Sequence, residues 1–360
     1  MRLPTRPRTL ATLAAAAGLA AAAALALPAT PALAAPNDPL YSQQYGPQQV
    51  HAEQAWARSR GAGAVIAVVD TGVDFGQPDL AGQLLSGATF VACGTTSCGN
   101  GDWRGPDGIG QSEDSHGTHV SGIAAAATGN GIGIAGIAPD AKILPVKVLE
   151  AGSGSYEDIG LGIRWAADHG ADVINMSLGG LQGTQLLSLT GLETSISDAV
   201  SYAVSKGVVV VAAAGNDSVP VCNEPGFDAG VICVAATDKR ELPAAYGSGA
   251  IKPDLMSVSA PGGSSLPVCG EDIVSTVPRG TGAGTCEGTD YDEYAGTSMA
   301  TPHVAGVAAL LAAQGRSRAN IEQALTSTAR TPVLGLRGVW SLKYGYGIID
   351  AAAAVATPIG

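Results

Sequence analysis

The sequence predicts a single α/β domain in which a mostly parallel sheet carries helices on both faces. Continuous apolar runs, unlike alternating ones, are typical of strands that are buried on both faces. Segments with helical patterns separate these runs, and strands that alternate with helices favour a parallel sheet. The apolar runs lie at 64–69, 141–149, 171–178, 207–215 and 230–237.

The helices are predicted from their apolar periodicity and from the residues that begin and end them. One helix begins at His116, and another spans 155–170, with acidic residues early and Gly170 as its stop. The remaining predicted helices cover 192–206, 300–315 and 320–330, and the tail from 348 completes the same domain.

The first 34 residues have the composition of a secretory signal peptide. Three arginines precede an alanine- and leucine-rich run over 10–27, and Ala32-Leu33-Ala34 matches an A-x-A cleavage site. We predict cleavage after Ala34 and export from the cell, with a folded domain over 37–360; a membrane anchor is the alternative interpretation. No later run in the sequence is long and apolar enough to span a bilayer, so we expect a soluble mature chain.

The chain is acidic, with 19 basic and 31 acidic side chains and a net charge of −12. Loss of the three arginines of the signal peptide takes the mature chain to −15. Such a charge argues against nucleic acid and anionic membranes as partners. It suits a secreted protein, including one that binds calcium.

Six cysteines lie beyond the signal peptide and indicate disulfide bonds, because an even set in an exported chain is commonly oxidised. Fifteen pairings are possible, and pairing between sequence neighbours is expected. Zinc is the alternative, but the sequence has no C-x-x-C and its His/Cys spacing is poor for a metal cage. The expected pairs are Cys93–Cys98, Cys222–Cys233 and Cys269–Cys286.

Two motifs place candidate chemistry at the ends of predicted elements. VVDTGVD puts Asp70 at the end of a strand, where an acid can also simply cap the next turn. DSHGTHVSG puts His116 and His119 at the start of a helix. The alternatives for that motif are a metal-binding pair or two core histidines.

A third motif, GTSMATPHVAG, places Ser298 at a helix N-terminus, with Pro302 predicted in the first turn. Free N–H groups and the helix dipole suit a nucleophilic oxygen there, and they suit a capping serine equally well. Together the three motifs are more specific than any one. A serine needs a base to take its proton, and the base needs an acid to hold its tautomer.

The order Asp, His, Ser is that of subtilisin, and the three motifs resemble the signatures of the subtilisin-like serine proteases, or subtilases, almost residue for residue. The resemblance covers the chain from about residue 37 and implies a single three-layer subtilisin-like domain. The stretch NDPLYSQQYGPQQVHAEQAW especially resembles the thermitase branch, and the chain as a whole resembles that branch and the secreted actinobacterial subtilases.

The resemblance assigns roles residue by residue. Asp70 takes the place of the acid, His116 that of the base and Ser298 that of the nucleophile, which leaves His119 a structural role. VVAAAGND resembles the oxyanion segment of the family, with Asn216 in the position of the amide donor. Outside the family, Asn216 would be interpreted as a turn residue.

Two segments resemble the backbone rims between which subtilases clamp an extended peptide by strand addition. Composition alone would make both of them Gly/Ser turns. The predicted substrate-binding residues are Ser153, Gly154 and Ser155 on one rim, Ser177, Leu178 and Gly179 on the other, and Ala214 and Gly215 beside the oxyanion amide.

A structural calcium site is also implied by the resemblance, whereas no catalytic cofactor is expected. The donors are hard oxygen atoms, as calcium requires. The alternative is a Gly-rich surface loop with two solvated acids. The predicted ligands are the carboxylates of Asp38 and Asp79, the side-chain oxygen of Asn130 and the carbonyls of Ile132 and Ile134.

The sequence departs from the family pattern in three places. Only a few residues separate the predicted cleavage site from the start of the resemblance, so we expect no inhibitory propeptide. The acid that usually precedes the His-Gly pair is here Asp114, one place earlier. Glu224 lies where the family builds its primary specificity pocket, and it faces either a basic substrate side chain or water.

The motifs and the resemblance together predict a secreted, monomeric serine endopeptidase that hydrolyses proteins or peptides through an acyl-enzyme. The alternative from another class is a catalytically idle, secreted peptide-binding protein on the same fold. The intact triad and Asn216 favour the enzyme, because a pure binder needs no nucleophile.

Overall fold

Seven short strands form the central sheet of the structure, a computed structural model that describes residues 1, 35–105, 108–179, 195–286, 288–332 and 334–359. These strands are β1 (Val65–Asp70), β2 (Ala88–Thr89), β3 (Lys142–Lys147), β4 (Val173–Met176), β5 (Val209–Ala213), β6 (Val231–Thr237) and β7 (Ser257–Pro261). Their order is β2-β3-β1-β4-β5-β6-β7, and every neighbouring pair is parallel. A separate antiparallel hairpin pairs β8 (Ile273–Thr276) with β9 (Tyr291–Tyr294).

Helices cover both faces of the sheet. Three short 3₁₀ turns, Tyr41–Gln43, Pro78–Leu80 and Ser112–Asp114, accompany them. The helix predicted over 192–206 is described from Ser195 onward, because residues 192–194 lie outside the described residues. The α-helices are α1 (Tyr45–Gln49), α2 (Ala52–Trp56), α3 (Ser115–Ala125), α4 (Tyr156–Asp168), α5 (Ser195–Ser205), α6 (Thr297–Ala312), α7 (Arg318–Thr328) and α8 (Ala351–Ala356).

Strand β1 shows why the sheet is apolar throughout. Ile66 and Val68 pack in one core with residues of α3 and α6, whereas Ala67 and Val69 pack in a second core with residues of α4 and α5. Because successive side chains of a strand point to opposite faces, a strand with helices on both sides needs a continuous apolar run. The prediction of a three-layer α/β fold with a mostly parallel sheet is confirmed.

Four strands were not predicted from the sequence: β2 and β7 of the central sheet, and the β8–β9 hairpin. β2 has two residues, and β7 reads SVSAP, in which serines and a proline interrupt the apolar pattern. All residues of β7 are nevertheless buried, and the hydroxyl of Ser259 donates to the carbonyl of Tyr344 at 3.1 Å. A hydrogen bond to a distant segment therefore allows a polar residue at this buried position.

The prediction that Pro302 lies in the first turn of its helix is wrong. α6 begins at Thr297, which makes Pro302 its sixth residue. A proline at this depth deprives the carbonyl four residues earlier, that of Ser298, of its helical N–H partner. The hydroxyl of Ser177 donates to this carbonyl instead, at 2.7 Å.

The six cysteines form three disulfides between sequence neighbours, as expected. Within the part of the chain that the structure describes, no cysteine is free and no helix is long and apolar enough to cross a membrane. The pairs are Cys93–Cys98, Cys222–Cys233 and Cys269–Cys286.

Candidate active site

Three of the predicted residues stand at the carboxyl edge of the sheet. Asp70 is the last residue of β1, and His116 and Ser298 are the second residues of α3 and α6. A Cβ atom on Gly117 would lie 2.3 Å from the carbonyl oxygen of Gly72, so only glycine lets α3 approach the end of β1 this closely. In parallel sheets this edge is where ligands bind.

Asp70 and His116 form a hydrogen-bonded pair, with 2.7 Å between Oδ1 of the carboxylate and Nδ1 of the imidazole. Asp70 is fully buried, and the side chain of His116 is 27% exposed. Burial by itself lowers the pKa of His116, but the Asp70 carboxylate outweighs it and holds that pKa above its ordinary value. The backbone N–H of Thr71 donates to the same Asp70 oxygen at 2.7 Å, which fixes the carboxylate.

The hydroxyl of Ser298 donates to the carbonyl of Ser177 at 3.1 Å. Among the described hydrogen bonds, none joins this hydroxyl to His116, although the two side chains line the same cavity. Hydrogen bonds between a nucleophile and its base are often long or misaligned before substrate binds. The arrangement therefore holds acid and base ready and leaves the hydroxyl on a backbone acceptor.

The amide of Asn216 is held by Thr297, whose backbone N–H and hydroxyl both donate to Oδ1 at 3.0 Å. Because Thr297 occupies the oxygen of this amide, the Nδ2 group lies on the opposite side from Thr297. A Cβ on Gly296 would lie 3.6 Å from Nδ2 of Asn216 and 3.5 Å from the backbone nitrogen of Ser298. The amide nitrogen of Asn216 and the backbone nitrogen of Ser298, which are the donors predicted for an oxyanion, are thus neighbours beside Gly296.

A cavity of about 590 Å³ runs past His116 and Ser298. Of the predicted groove residues, it is lined by Ser153, Gly154, Ser177, Leu178 and Gly179. Gly180, the last residue of the SLGG rim, lies outside the described residues.

Three predicted groove residues do not line this cavity. The hydroxyl of Ser155 accepts a hydrogen bond from the N–H of Asp158 and caps α4. Ala214 is fully buried, and its backbone bonds to β6 and to Asn223. Gly215 bonds to Thr297 and Ser248 in the same way, so the backbone of both residues is already used inside the protein.

Tyr156, the last residue of the predicted SGSY rim, also lines the cavity, together with residues that the sequence interpretation missed, namely Thr71, Glu113, Leu149, Gly152 and Ile159. Thr71 directly follows Asp70 within VVDTGVD, so the motif itself pointed to it. Nothing local distinguishes the others, because they come from different elements. Glu224 is only 5% exposed, which excludes the interpretation that it simply faces water.

The predicted calcium ligands converge on one loop. Asp38 and Asp79 are buried there, and Asp79 accepts hydrogen bonds from the Asn130 amide and the Ile134 N–H, both at 2.8 Å. Burial, together with the charge of nearby Asp38, raises the pKa of Asp79 to about 6. The described residues contain no cluster of three His, Cys, Asp or Glu side chains, so amide and carbonyl oxygens would have to complete a site.

This donor set suits calcium, which accepts carboxylate, amide and carbonyl oxygens together. Two buried carboxylates near one another also favour a cation, since their charges repel. In the structure, the side-chain oxygen of Asn130 accepts from the N–H of Ile132 at 2.9 Å. The amide has to turn before that oxygen can face Asp79.

An acid–histidine pair beside a serine at a helix N-terminus, on a sheet of this kind, defines a hydrolase of the serine class. The sequence profile of the subtilase family matches residues 61–347. The chain therefore belongs to the subtilase family, and it is a subtilisin-like serine endopeptidase.

Individual relatives agree with this assignment. Thermitase from Thermoactinomyces vulgaris is 44% identical over 299 residues, which cover 82% of this chain and 91% of thermitase. Subtilisin E from Bacillus subtilis (strain 168) is 38% identical over 321 residues, or 87% and 71% of the two chains. A solved structure of a protease from Pseudoalteromonas arctica PAMC 21717 matches with a TM-score of 0.74 at 35% identity, over 90% of this chain and 99% of that one.

Proposed function

We propose that this chain is a secreted enzyme that cleaves peptide bonds through a covalent acyl-enzyme on Ser298. The observation that carries the proposal is the 2.7 Å hydrogen bond from Nδ1 of His116 to the carboxylate of Asp70, in a cavity that His116 shares with Ser298. A protein that only binds peptides has no use for a buried acid that orients a histidine beside a serine.

Acylation begins when the Ser298 oxygen attacks the carbonyl carbon of the scissile bond and His116 takes the hydroxyl proton. Asp70 stabilises the imidazolium and holds its tautomer, with Nδ1 donating to the carboxylate. The tetrahedral oxyanion accepts hydrogen bonds from the Ser298 N–H and the Asn216 amide. His116 then gives its proton to the leaving amine, and the acyl group remains on Ser298 as an ester.

Deacylation repeats these steps with water. His116 takes a proton from the water as its oxygen attacks the ester carbonyl, and the proton passes to the Ser298 oxygen when the ester bond breaks. The product is a peptide carboxylate, and Ser298 is restored. No cofactor takes part in either half.

The substrate is proposed to bind as an extended strand between the two rims at 153–154 and 177–179. Main-chain hydrogen bonds give affinity in this mode, and side-chain pockets set preference. The rims are Gly- and Ser-rich, which leaves backbone groups accessible to a peptide. We therefore expect cleavage of many different proteins or peptides.

Export is proposed from the sequence, in which residues 1–34 have the pattern of a signal peptide. Three disulfides support an oxidising compartment. Calcium is proposed as a structural ion, held by Asp38, Asp79 and Asn130 with the carbonyls of Ile132 and Ile134. Its role would be to neutralise two buried carboxylates.

A fluorophosphonate, which reacts with activated serines, tests the proposal directly. The purified mature chain is labelled in calcium buffer, digested and mapped by mass spectrometry, in parallel with Ser298→Ala and with Ser205→Ala as a matched control at an exposed serine on α5. We expect one adduct on Ser298 in the wild type and in S205A, and no adduct in S298A.

Turnover of a fluorogenic peptide must follow the same pattern. If the wild type binds peptides but forms no adduct and cleaves nothing, the protein is an idle binder and the proposal is wrong. An adduct at another serine would also overturn it.

A further inference from the structure

A lysine and an aspartate are buried together directly behind the candidate active site. Lys147, the last residue of β3, and Asp114, which precedes α3, are both 0% exposed, with 3.7 Å between Nζ and Oδ2. Burial lowers the pKa of Lys147 and raises that of Asp114, and the opposite charge of each partner counters the shift. Buried ion pairs are poor stabilisers compared with apolar packing, so this one calls for a specific role.

The ammonium group gathers three separate chain segments. Nζ of Lys147 donates to the carbonyls of Thr71 at 2.8 Å, Leu149 at 2.9 Å and Trp103 at 3.2 Å. Thr71 is the residue after Asp70, and Leu149 lines the cavity. One buried cation thus holds both the turn that carries the acid and a wall of the groove.

The carboxylate of Asp114 belongs to the segment that leads into the histidine helix. The backbone carbonyl of Asp114 accepts a hydrogen bond from the Thr71 hydroxyl at 2.9 Å. That hydroxyl in turn accepts from the backbone N–H of Gly117, also at 2.9 Å. Thr71 donates its N–H to Asp70. The turn after β1 and the first turn of α3 are therefore connected through Thr71 and Asp114.

Asp114 also anchors the groove rim. Its Oδ1 accepts from the N–H of Ala151 at 2.9 Å. Ala151 has a φ of 47°, in the left-handed region that disfavours residues with a Cβ, and it lies in a tight turn closed by two hydrogen bonds between Glu150 and Ser153. The two-residue turn itself requires this φ, since Gly152 beside it is also left-handed, and the Asp114 carboxylate holds the N–H of Ala151 from outside the turn.

We propose that Lys147 and Asp114 are positioning residues, which together lock the Asp70–His116 pair to the turn at 150–153 that leads into the substrate rim at 153–154. The inference rests on the proposed function, because it assigns the pair a task in peptide hydrolysis.

The pH profile of kcat/KM tests the inference, because its acid limb reports the protonation of His116 in the free enzyme. The ionisable groups near His116 are Asp70 from β1, His119 from its own helix, Glu113 and Asp114 from the preceding turn, and Lys147 from β3. His119 stays neutral over this range because burial lowers its pKa to about 3. Glu113 stays ionised, since hydrogen bonds from its own backbone N–H and from Ser112 lower its pKa.

The two single variants change the buried charge with opposite sign. Lys147→Met leaves a carboxylate that favours the imidazolium, so the acid limb should move up by about 0.5 pH unit, less than a charge in direct contact would cause. Asp114→Asn leaves an ammonium group, and the limb should move down by a similar amount. The double variant restores neutrality, so its limb should return to that of the wild type.

The rim provides a second readout. KM should rise about tenfold in the double variant, because Lys147→Met removes the hydrogen bond from Nζ to the Leu149 carbonyl that holds this wall of the groove, a loss of roughly one hydrogen bond. Lys142→Met is the matched control, since Lys142 lies on the same strand, is partly exposed and donates to Gly82, away from the cavity. That variant should change neither KM nor the limb.

The inference is overturned if the acid limb of kcat/KM stays at its wild-type position in both single variants. It is also overturned if the limb moves in the same direction in both. If the single variants do not fold, the double variant decides, because it buries no net charge. An unchanged KM in that variant shows that the pair does not position the rim. Failure of the wild type to hydrolyse any peptide would instead refute the proposed function, which keeps the two outcomes distinct.

Discussion

Replacement of Ser177 by alanine tests how the helix of Ser298 tolerates an internal proline. The Ser177 hydroxyl donates to the Ser298 carbonyl at 2.7 Å, in the place of the N–H that Pro302 lacks. Without this hydroxyl, the carbonyl loses its partner. An unsatisfied buried group costs about 1–3 kcal/mol, and Ser298 is half-buried, so we expect a loss of about 1–2 kcal/mol. For a domain of this size, that lowers Tm by about 2–6 °C.

The second arm of this experiment supplies the missing donor. Pro302→Ala places an N–H four residues after the orphaned carbonyl, so Ser177→Ala should cost less in that background. The part of the cost that remains comes from the buried Asn175 amide, which loses the Ser177 hydroxyl as its acceptor in both backgrounds. The expected coupling between the two sites is about 1 kcal/mol, within the range for residues that share a partner. Pro302→Ala by itself changes stability in two ways, because helix interiors favour alanine over proline and because the site is packed. The informative quantity is therefore the difference between the cost of Ser177→Ala with Pro302 and its cost with P302A.

Thermal and urea unfolding, followed by circular dichroism, measure both arms in an S298A background, which prevents self-digestion. Ser205→Ala is the control, because it removes an exposed serine and should shift stability by less than about 0.5 kcal/mol. The reasoning is refuted if S177A melts with its parent, or if its cost is the same with and without Pro302.

Three further predictions concern the chemistry and the ion. Asn216→Leu should lower kcat by about 10²–10³ with little change in KM, because it removes one oxyanion donor. Asp70→Asn should lower kcat by about 10⁴. It should also move the acid limb to lower pH, since the carboxylate is what holds the pKa of His116 above its ordinary value. A calcium chelator should lower Tm, by an amount equivalent to about 2.7 kcal/mol if calcium stands at a hundredfold its Kd, and Asp79→Asn should remove this response.

Each of these has a distinct contrary result. Full activity in N216L would assign the oxyanion to other donors. An acid limb that stays in place in D70N would mean that His116 does not titrate in that limb. If neither chelator nor added calcium changes Tm, the loop at Asp79 does not hold a structural calcium ion. Activity is measured by initial rates on a fluorogenic peptide, and Tm by calorimetry.

Much of the fold was predictable because its signals are local. The five apolar runs became β1, β3, β4, β5 and β6, since a strand with helices on both faces must be apolar at every position. β7 was missed because its serine hydroxyls form hydrogen bonds with residues far away in the sequence, as that of Ser259 does with the carbonyl of Tyr344. A pattern of hydrophobicity contains no record of such partners.

The site divides in the same way. Asp70, His116 and Ser298 were identifiable because each lies in a short motif at the end of an element, whereas Asn216 was indicated only by the resemblance of VVAAAGND to the oxyanion segment of the family. The sequence did not show which of the predicted groove residues line the cavity. Ser155 caps a helix and Ala214 is buried, and both facts depend on neighbours from other segments.

The sequence by itself determined the class of fold, the identity of the three motif residues and the expectation of three neighbour disulfides. The tertiary structure decided what supports them. Ser177 completes a helix that Pro302 interrupts, and Lys147 meets Asp114 behind the acid and base. The physical reason is that motifs and periodicity arise from residues a few positions apart, whereas burial brings together polar groups from distant segments, and each such group must find its partner there.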